Sequence, residues 1–363
     1  MKYLDEFRDP SLARALLGRL NSAAGRLDRP VRVMEICGGH TAALLRTGIH
    51  SVLPERVRII SGPGCPVCVT ASTVIDAAIW LCGRPGVHVF TFGDMVRVPG
   101  SHTSLANSAR EDSLHIIYSA LQAVEFAQQH PDATCVLLGV GFETTAPTLA
   151  TAVTAAAAAG MGNFFFLAAG KLTPPAMRAL LQDEEQVIDG FIAPGHVTTI
   201  IGAHAYRFIG EEFKRPCVVS GFELCDLLES LAMVIEQIAD GRCDTEIQYG
   251  RSVTFEGNRK AQAVIARVFD VAGDVWRGLG MIPLSGYKLR SEFAGLDALG
   301  RLDVPAFEPH EPHGCKCGDV LRGVCMPQDC GLFGIGCTPE HPIGPCMVSS
   351  EGSCAAYYRY GRH

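Results

Sequence analysis

Apolar residues along the chain fall into short unbroken runs, each closed by a glycine-rich or polar loop, with helix-like stretches between them. Seven runs share this form: "VRVMEICGGHT", "VRIISGPGCPVC", "GVHVFTFGDMVRVPGS", "TCVLLGVGFETTAP", "NFFFLAAGKLTPPA", "VIDGFIAPGHVTTIIG" and "RPCVVSGFELCD". Strands that are apolar throughout, without polar alternation, are buried on both faces and belong to parallel sheets covered by helices. Interleaved helical stretches such as 113–129 and 175–182 complete an α/β pattern. The pattern predicts two Rossmann-like parallel-sheet domains facing a cleft, followed by a Cys-rich C-terminal domain. The expected division is 1–130, 131–240 and 241–363. Ligands of open parallel sheets bind at the carboxyl ends of strands, where the unusual residues of this chain also fall.

Composition narrows the class. The 363 residues are 48% hydrophobic and 19% charged, which suits packed cores and excludes wholesale disorder. A net charge of −7 excludes a polyanion-binding surface, so no nucleic-acid partner is expected. The stretch from Thr144 to Gly170 lacks charge and is long enough to span a bilayer, but Gly160-Met161-Gly162-Asn163 interrupts it. It reads as a buried helix, a turn and the strand Phe164–Ala168, with no membrane partner. The N-terminal stretch carries several acids and reads as no signal peptide, which predicts a cytoplasmic, reducing setting. Fifteen cysteines there point to metal or redox work rather than to a disulfide framework.

The thiols come in three settings. Cys37 closes the first run and precedes Gly38-Gly39-His40, so a thiol and an imidazole three apart could share a metal or a proton; the plain alternative is a buried structural cysteine at a turn. Cys65 and Cys68 form a C-x-x-C in a Gly- and Pro-rich loop, which suits a reversible dithiol and could also be half of a zinc site. Seven cysteines crowd the last forty-nine residues, among them Cys330, Cys337, Cys346 and Cys354. Their spacing does not match the tight ferredoxin pattern; four thiolates could fold around a [4Fe–4S] cluster or a zinc ion. Cys82, Cys135, Cys217, Cys225 and Cys243 sit in apolar settings and read as packing residues. His50, His88 and His130 stand alone. Asp94, Arg97, Glu143, Thr144, Thr145 and His196 lie at strand ends, where each could be a helix cap and together they read as a polar cleft. Neither a dinucleotide-binding nor a phosphate-binding glycine loop is present.

The blocks "EICGGHT", "GPGCPVC", "TFGDMVRVPGS", "GFETTAP", "PGHVTTIIG", "VVSGFELCD" and "CTPEHPIGPCMVSSEGSCAAYY", in this order, resemble the HypD family of hydrogenase maturation factors. Ala42, the Thr70-Ala71-Ser72 stretch and Leu224-Cys225 depart from the common pattern and leave the thiols intact. The resemblance implies a cytoplasmic iron protein that helps assemble the Fe(CN)₂CO group of [NiFe]-hydrogenases and carries a [4Fe–4S] cluster. It implies a HypC-type chaperone and a HypE-type cyanide donor as partners. Carried over, Cys37 and Cys68 are the metal-site residues for the iron, Cys65 and Cys68 form the redox pair, and His40, His196 and Glu351 are polar participants. The competing readings are an iron–sulfur or dithiol oxidoreductase acting on a small substrate, and a zinc-stabilised thiol module.

Overall fold

The computed structural model describes residues 5–183 and 187–361; the first four residues of the N-terminal stretch lie outside them. Its strands are β1 (Val31–Glu35), β2 (Val57–Ser61), β3 (Val87–Thr91), β4 (Leu114–Ile116), β5 (Thr134–Gly141), β6 (Phe164–Gly170), β7 (Gly190–Pro194), β8 (Cys217–Ser220), β9 (Thr245–Ile247), β10 (Phe269–Trp276) and β11 (Gly280–Leu289). All seven expected runs are strands. They build two wholly parallel sheets, β2-β1-β7-β8-β9 and β4-β3-β5-β6, and β10 and β11 add an antiparallel hairpin. Burial explains the apolar runs: every residue of β5 from Cys135 to Gly141 is buried, because helices cover both faces of a parallel sheet.

Strand pairing crosses the expected boundary at residue 130. β1 and β2 start the first sheet, the chain leaves after Ser61 to build the second with β3 to β6, and it returns at Gly190 to complete the first. β9, beyond residue 240, still belongs to the first sheet. An apolar run reports burial but not its partner, and here β1 pairs with a strand more than a hundred residues away. The helix expected over 113–129 is shorter, because Leu114–Ile116 extends the second sheet as β4 and the helix spans Leu121–Gln129. The uncharged stretch after Thr144 resolves as expected into the helix Ala146–Ala158, a turn and β6. No helix among the described residues is long and apolar enough to cross a membrane.

The C-terminal third ties the two sheets together. Trp276 on β10 bridges Thr70, just past the C-x-x-C, and Gly286 on β11 bridges Lys171 at the end of β6. The Cys-rich tail then runs back to the first sheet, where its last helix, Ser353–Tyr360, packs on the helix Gly38–Arg46.

Candidate functional site

Two consequences of chain crossing make the site: loops after parallel strands gather at one edge, and the crossing from the first sheet to the second is the loop Gly62–Cys68. Cys37, in extended conformation after β1, is the N-cap of the helix Gly38–Arg46. Its N–H donates to the Glu35 carboxyl at 3.0 Å, and the Thr41 hydroxyl donates to the other Glu35 oxygen. Glu35 has no exposed surface, and burial pushes its carboxyl up to about 8 against the hydrogen bonds from Thr41, Cys37 and Ser61. It is therefore largely protonated near neutrality and acts as an uncharged brace. An acid closing an apolar strand was its signal in the sequence.

The two thiol loops touch through backbone. Gly38 N–H donates to the Gly64 carbonyl at 3.0 Å, and a Cβ on Gly64 would lie 2.4 Å from Cys37 Cα. Neither backbone can yield without dragging its strand. Gly64→Ala is expected to lower stability by about 1–3 kcal/mol, the usual cost of overpacking, read as a fall in the urea midpoint; an unchanged midpoint would show that the loops are not held in contact.

Cys65 caps the one-turn helix Pro66–Val69, and its Sγ accepts from the Cys68 N–H at 3.4 Å. Burial alone would raise Cys68, but S–H groups of Cys346 and Cys65 donate to it and hold its thiol down at about 6. Burial first, and then the bond to Cys68, moves Cys65 upward; bonds with Cys317, Cys354 and Cys68 move Cys346 upward. Cys68 is thus the most acidic sulfur of a buried trio, whereas burial pushes the Cys37 thiol up to about 12, with Glu351 acting the same way. Glu351 neighbours all three thiols of the two loops. Gly38 admits it closely, since a Cβ there would lie 2.1 Å from the Glu351 carbonyl oxygen. Crowding by protein, then Cys68 and Asp94, raises the Glu351 carboxyl.

His40 and His196 are brought together by Phe222, which lies in the "VVSGFELCD" block but carries no reactive group that would single it out there. The Phe222 ring lies 4.6 Å from that of His40 and stacks on that of His196 at 4.0 Å. His40 is fully buried, which lowers it to about 4 and keeps it neutral. A Cβ on Gly39 would contact both Phe222 and the Cys37 sulfur, at 3.2 and 3.6 Å, so this aromatic stack adjoins the thiol. The cleft residues of the second sheet behave differently from expectation. Asp94 accepts from Ser349 at 2.6 Å and Arg97 donates to the Pro339 carbonyl at 3.0 Å, so both fasten the tail. Thr145 is an N-cap residue.

Glu143 is enclosed: its Oε1 accepts from the Thr173 N–H at 2.8 Å, its Oε2 has no partner among the described residues, and burial raises it to about 7. A carboxyl raised on folding contributes stability below about pH 4.5 that is lost as pH climbs through about 7. Glu143→Gln should remove up to about 3 kcal/mol of the stability decline between pH 5 and pH 8. Denaturant midpoints at those two pH values test this, and an unaltered decline would contradict it.

Four expected cofactor thiols, Cys330, Cys337, Cys346 and Cys354, line one tight apolar cavity together with Cys315 and Cys317. Within it Cys317 Sγ and Cys346 Sγ lie 2.8 Å apart, and Cys346 also bonds with Cys354 and Cys68. Cys346 is therefore the link between the tail and the C-x-x-C, a role its spacing did not suggest. Cys325 stands apart, on the side of β2. The donor set is sulfur alone, which fits an iron–sulfur group or zinc and fits hard oxygen-seeking ions poorly. The cavity volume is only 20 Å³, so a bound group larger than an atom or two spreads the thiols as it enters. Among the described residues, no three His, Cys, Asp or Glu side chains converge as a ready single-ion site. Cys82, Cys135, Cys217 and Cys225 are buried packing residues as expected, and Cys243 is half-buried. His88 does not stand alone, because its Nδ1 lies 3.0 Å from His115 Nε2.

These features define a class: an α/β protein of two interleaved parallel sheets that presents a connected set of reactive thiols where the chain passes between them. The family model HypD, described as "Hydrogenase formation hypA family", matches residues 11–361. The chain is 45% identical over 371 residues to the hydrogenase maturation factor HypD of Rhizobium leguminosarum bv. viciae, covering all of this chain and 96% of that one. It is 42% identical over 366 residues to HypD of Escherichia coli, covering 99% of this chain and 98% of the other. The chain belongs to the HypD family, and its activity lies in hydrogenase maturation.

Proposed function

We propose that the chain is the scaffold on which iron destined for a [NiFe]-hydrogenase receives its cyanide and carbonyl ligands, in partnership with a HypC-type chaperone and a HypE-type cyanide donor. The observation that carries this reading is the backbone contact between Cys37 and the C-x-x-C loop, which seats a metal-binding sulfur beside a dithiol. Iron arrives here as substrate. Low-spin iron with cyanide and carbonyl prefers soft donors, and Cys37 offers one, with the loop that carries Cys65 and Cys68 in backbone contact beside it. Because burial keeps the Cys37 thiol protonated, iron binding must release that proton. Glu351, with its raised carboxyl next to all three thiols, is placed to take it. Neutral His40 and His196, stacked about Phe222, supply hydrogen-bonding groups beside Cys37 without adding charge.

Cys65 and Cys68 form the redox pair, and Cys346 with Cys317 makes a second dithiol in contact with it. Of the six thiols of the tail cavity Cys317 and Cys346 pair most closely, and we assign Cys315, Cys330, Cys337 and Cys354, the last adjoining Cys346, to a [4Fe–4S] cluster. Such a cluster, when bound, supplies one-electron chemistry. Iron and acid-labile sulfide in anaerobically purified protein test this part: both present in near-equal amounts is the expected result, and zinc without sulfide would overturn it. A reading as an oxidoreductase predicts turnover of a small substrate in the absence of any protein partner.

A further inference from the structure

Behind the thiol cavity lies a second cavity of 210 Å³ that shares Cys315, Lys316 and Cys317 with it. Arg277, at the tip of the β10–β11 hairpin, forms its inner wall. The Arg277 side chain is 1% exposed; its Nε donates to Glu311 at 2.8 Å and its Nη1 to the Pro99 carbonyl at 2.6 Å. Among the described residues its Nη2 has no partner. A buried guanidinium N–H left unbonded is costly, and such groups normally face a ligand or ordered water. The site is built rather than incidental, because two glycines let its walls meet. A Cβ on Gly278 would lie 2.6 Å from Gly318 Cα, and one on Gly318 would lie 2.7 Å from the Gly278 carbonyl oxygen.

The charges decide what fits. Glu311 is neutralised by Arg277, and Asp319 pairs with Arg322 at 2.7 Å. Arg322 is also shared with Asp183, so the charges at and beside the cavity nearly balance; Lys316, with no ion pair among those described, and the buried Arg277 N–H are the groups of its lining left to meet an anion. Its volume is below that of drug-sized ligand sites, about 300–1,000 Å³. We propose that this cavity binds a small monocarboxylate between Arg277 Nη2 and Lys316, which sets the other end of the ligand against Cys317. The site is a route by which a small carboxylate-bearing molecule reaches the inner dithiol from solvent. The inference does not depend on the iron reading, since it uses neither Cys37 nor the C-x-x-C.

Affinity alkylation tests it. Iodoacetate carries the carboxylate and iodoacetamide does not; each forms a carbon–sulfur bond with a thiolate and expels iodide. Reduced full-length protein is treated anaerobically with either reagent and the label located by peptide mapping, with half-buried Cys325 as internal reference. The iodoacetate-to-iodoacetamide ratio at Cys317 should exceed that at Cys325 by about tenfold, the worth of one hydrogen bond to a charged group, and acetate should abolish the excess. Lys316→Gln, an exposed change that the fold tolerates, should reduce the excess severalfold, and Arg277→Gln should remove it. Equal ratios at the two cysteines, or an excess that survives both acetate and Lys316→Gln, would mean that the cavity holds only water and overturn the proposal.

Discussion

Cys37→Ala should reduce hydrogenase maturation to background, more than about a hundredfold, since removing a metal's own ligand exceeds the 10–100-fold typical of its outer supports. Fold and tail should survive. Cys37 is half-buried and its structural bonds are backbone ones, its N–H to the Glu35 carboxyl and its carbonyl from the Thr41 N–H, so the substitution costs no more than about 1 kcal/mol. Iron and sulfide content of the purified variant should match the wild type. Hydrogenase activity in cells lacking the native gene reads the first effect and metal analysis the second. Retained maturation would remove Cys37 from the chemistry; lost iron and sulfide would show that the two centres are not separable.

The second large effect separates thiols that sequence spacing groups together. Cys337→Ser should strip most of the iron and sulfide, with loss of visible absorbance, because Cys337 lines the tail cavity and has no thiol partner outside it. Cys346→Ser should keep iron and sulfide and lose maturation, because its sulfur is engaged with Cys317 and Cys68. Its loss also deprives Cys68 of the leading hydrogen bond that holds it ionised, so alkylation of Cys68 at pH 7 should slow about tenfold for each unit its pKa rises. Equal metal loss in both variants would return Cys346 to the cluster set.

How far the residues alone lead can be judged element by element. The parallel sheets were legible because β5, β7 and β8 are apolar nearly end to end, a pattern that only burial on both faces produces. Which sheet each strand joins was not, because pairing between β1 and β7 is set by the whole core and leaves no local trace. Cys37, Cys65 and Cys68 were legible from their glycine and proline context, which marks close backbone approach. The Cys317–Cys346 contact was not, because it depends on how a tail of little periodicity wraps onto the C-x-x-C helix. Arg277 looks ordinary in its sequence setting, and Phe222, though inside the "VVSGFELCD" block, carries no reactive group; only burial in one case and ring stacking in the other expose their parts.

The claim at the centre is that Cys37 and the C-x-x-C loop share one crevice in order to hold iron while its ligands are attached. Infrared spectroscopy in the cyanide and carbonyl stretching region, on protein purified anaerobically together with its chaperone, addresses it directly. Bands from both ligands in the wild type, absent from Cys37→Ala and still present when Cys325 is replaced, are predicted. Bands of undiminished strength in Cys37→Ala, or none in wild-type protein that supports maturation, would contradict it.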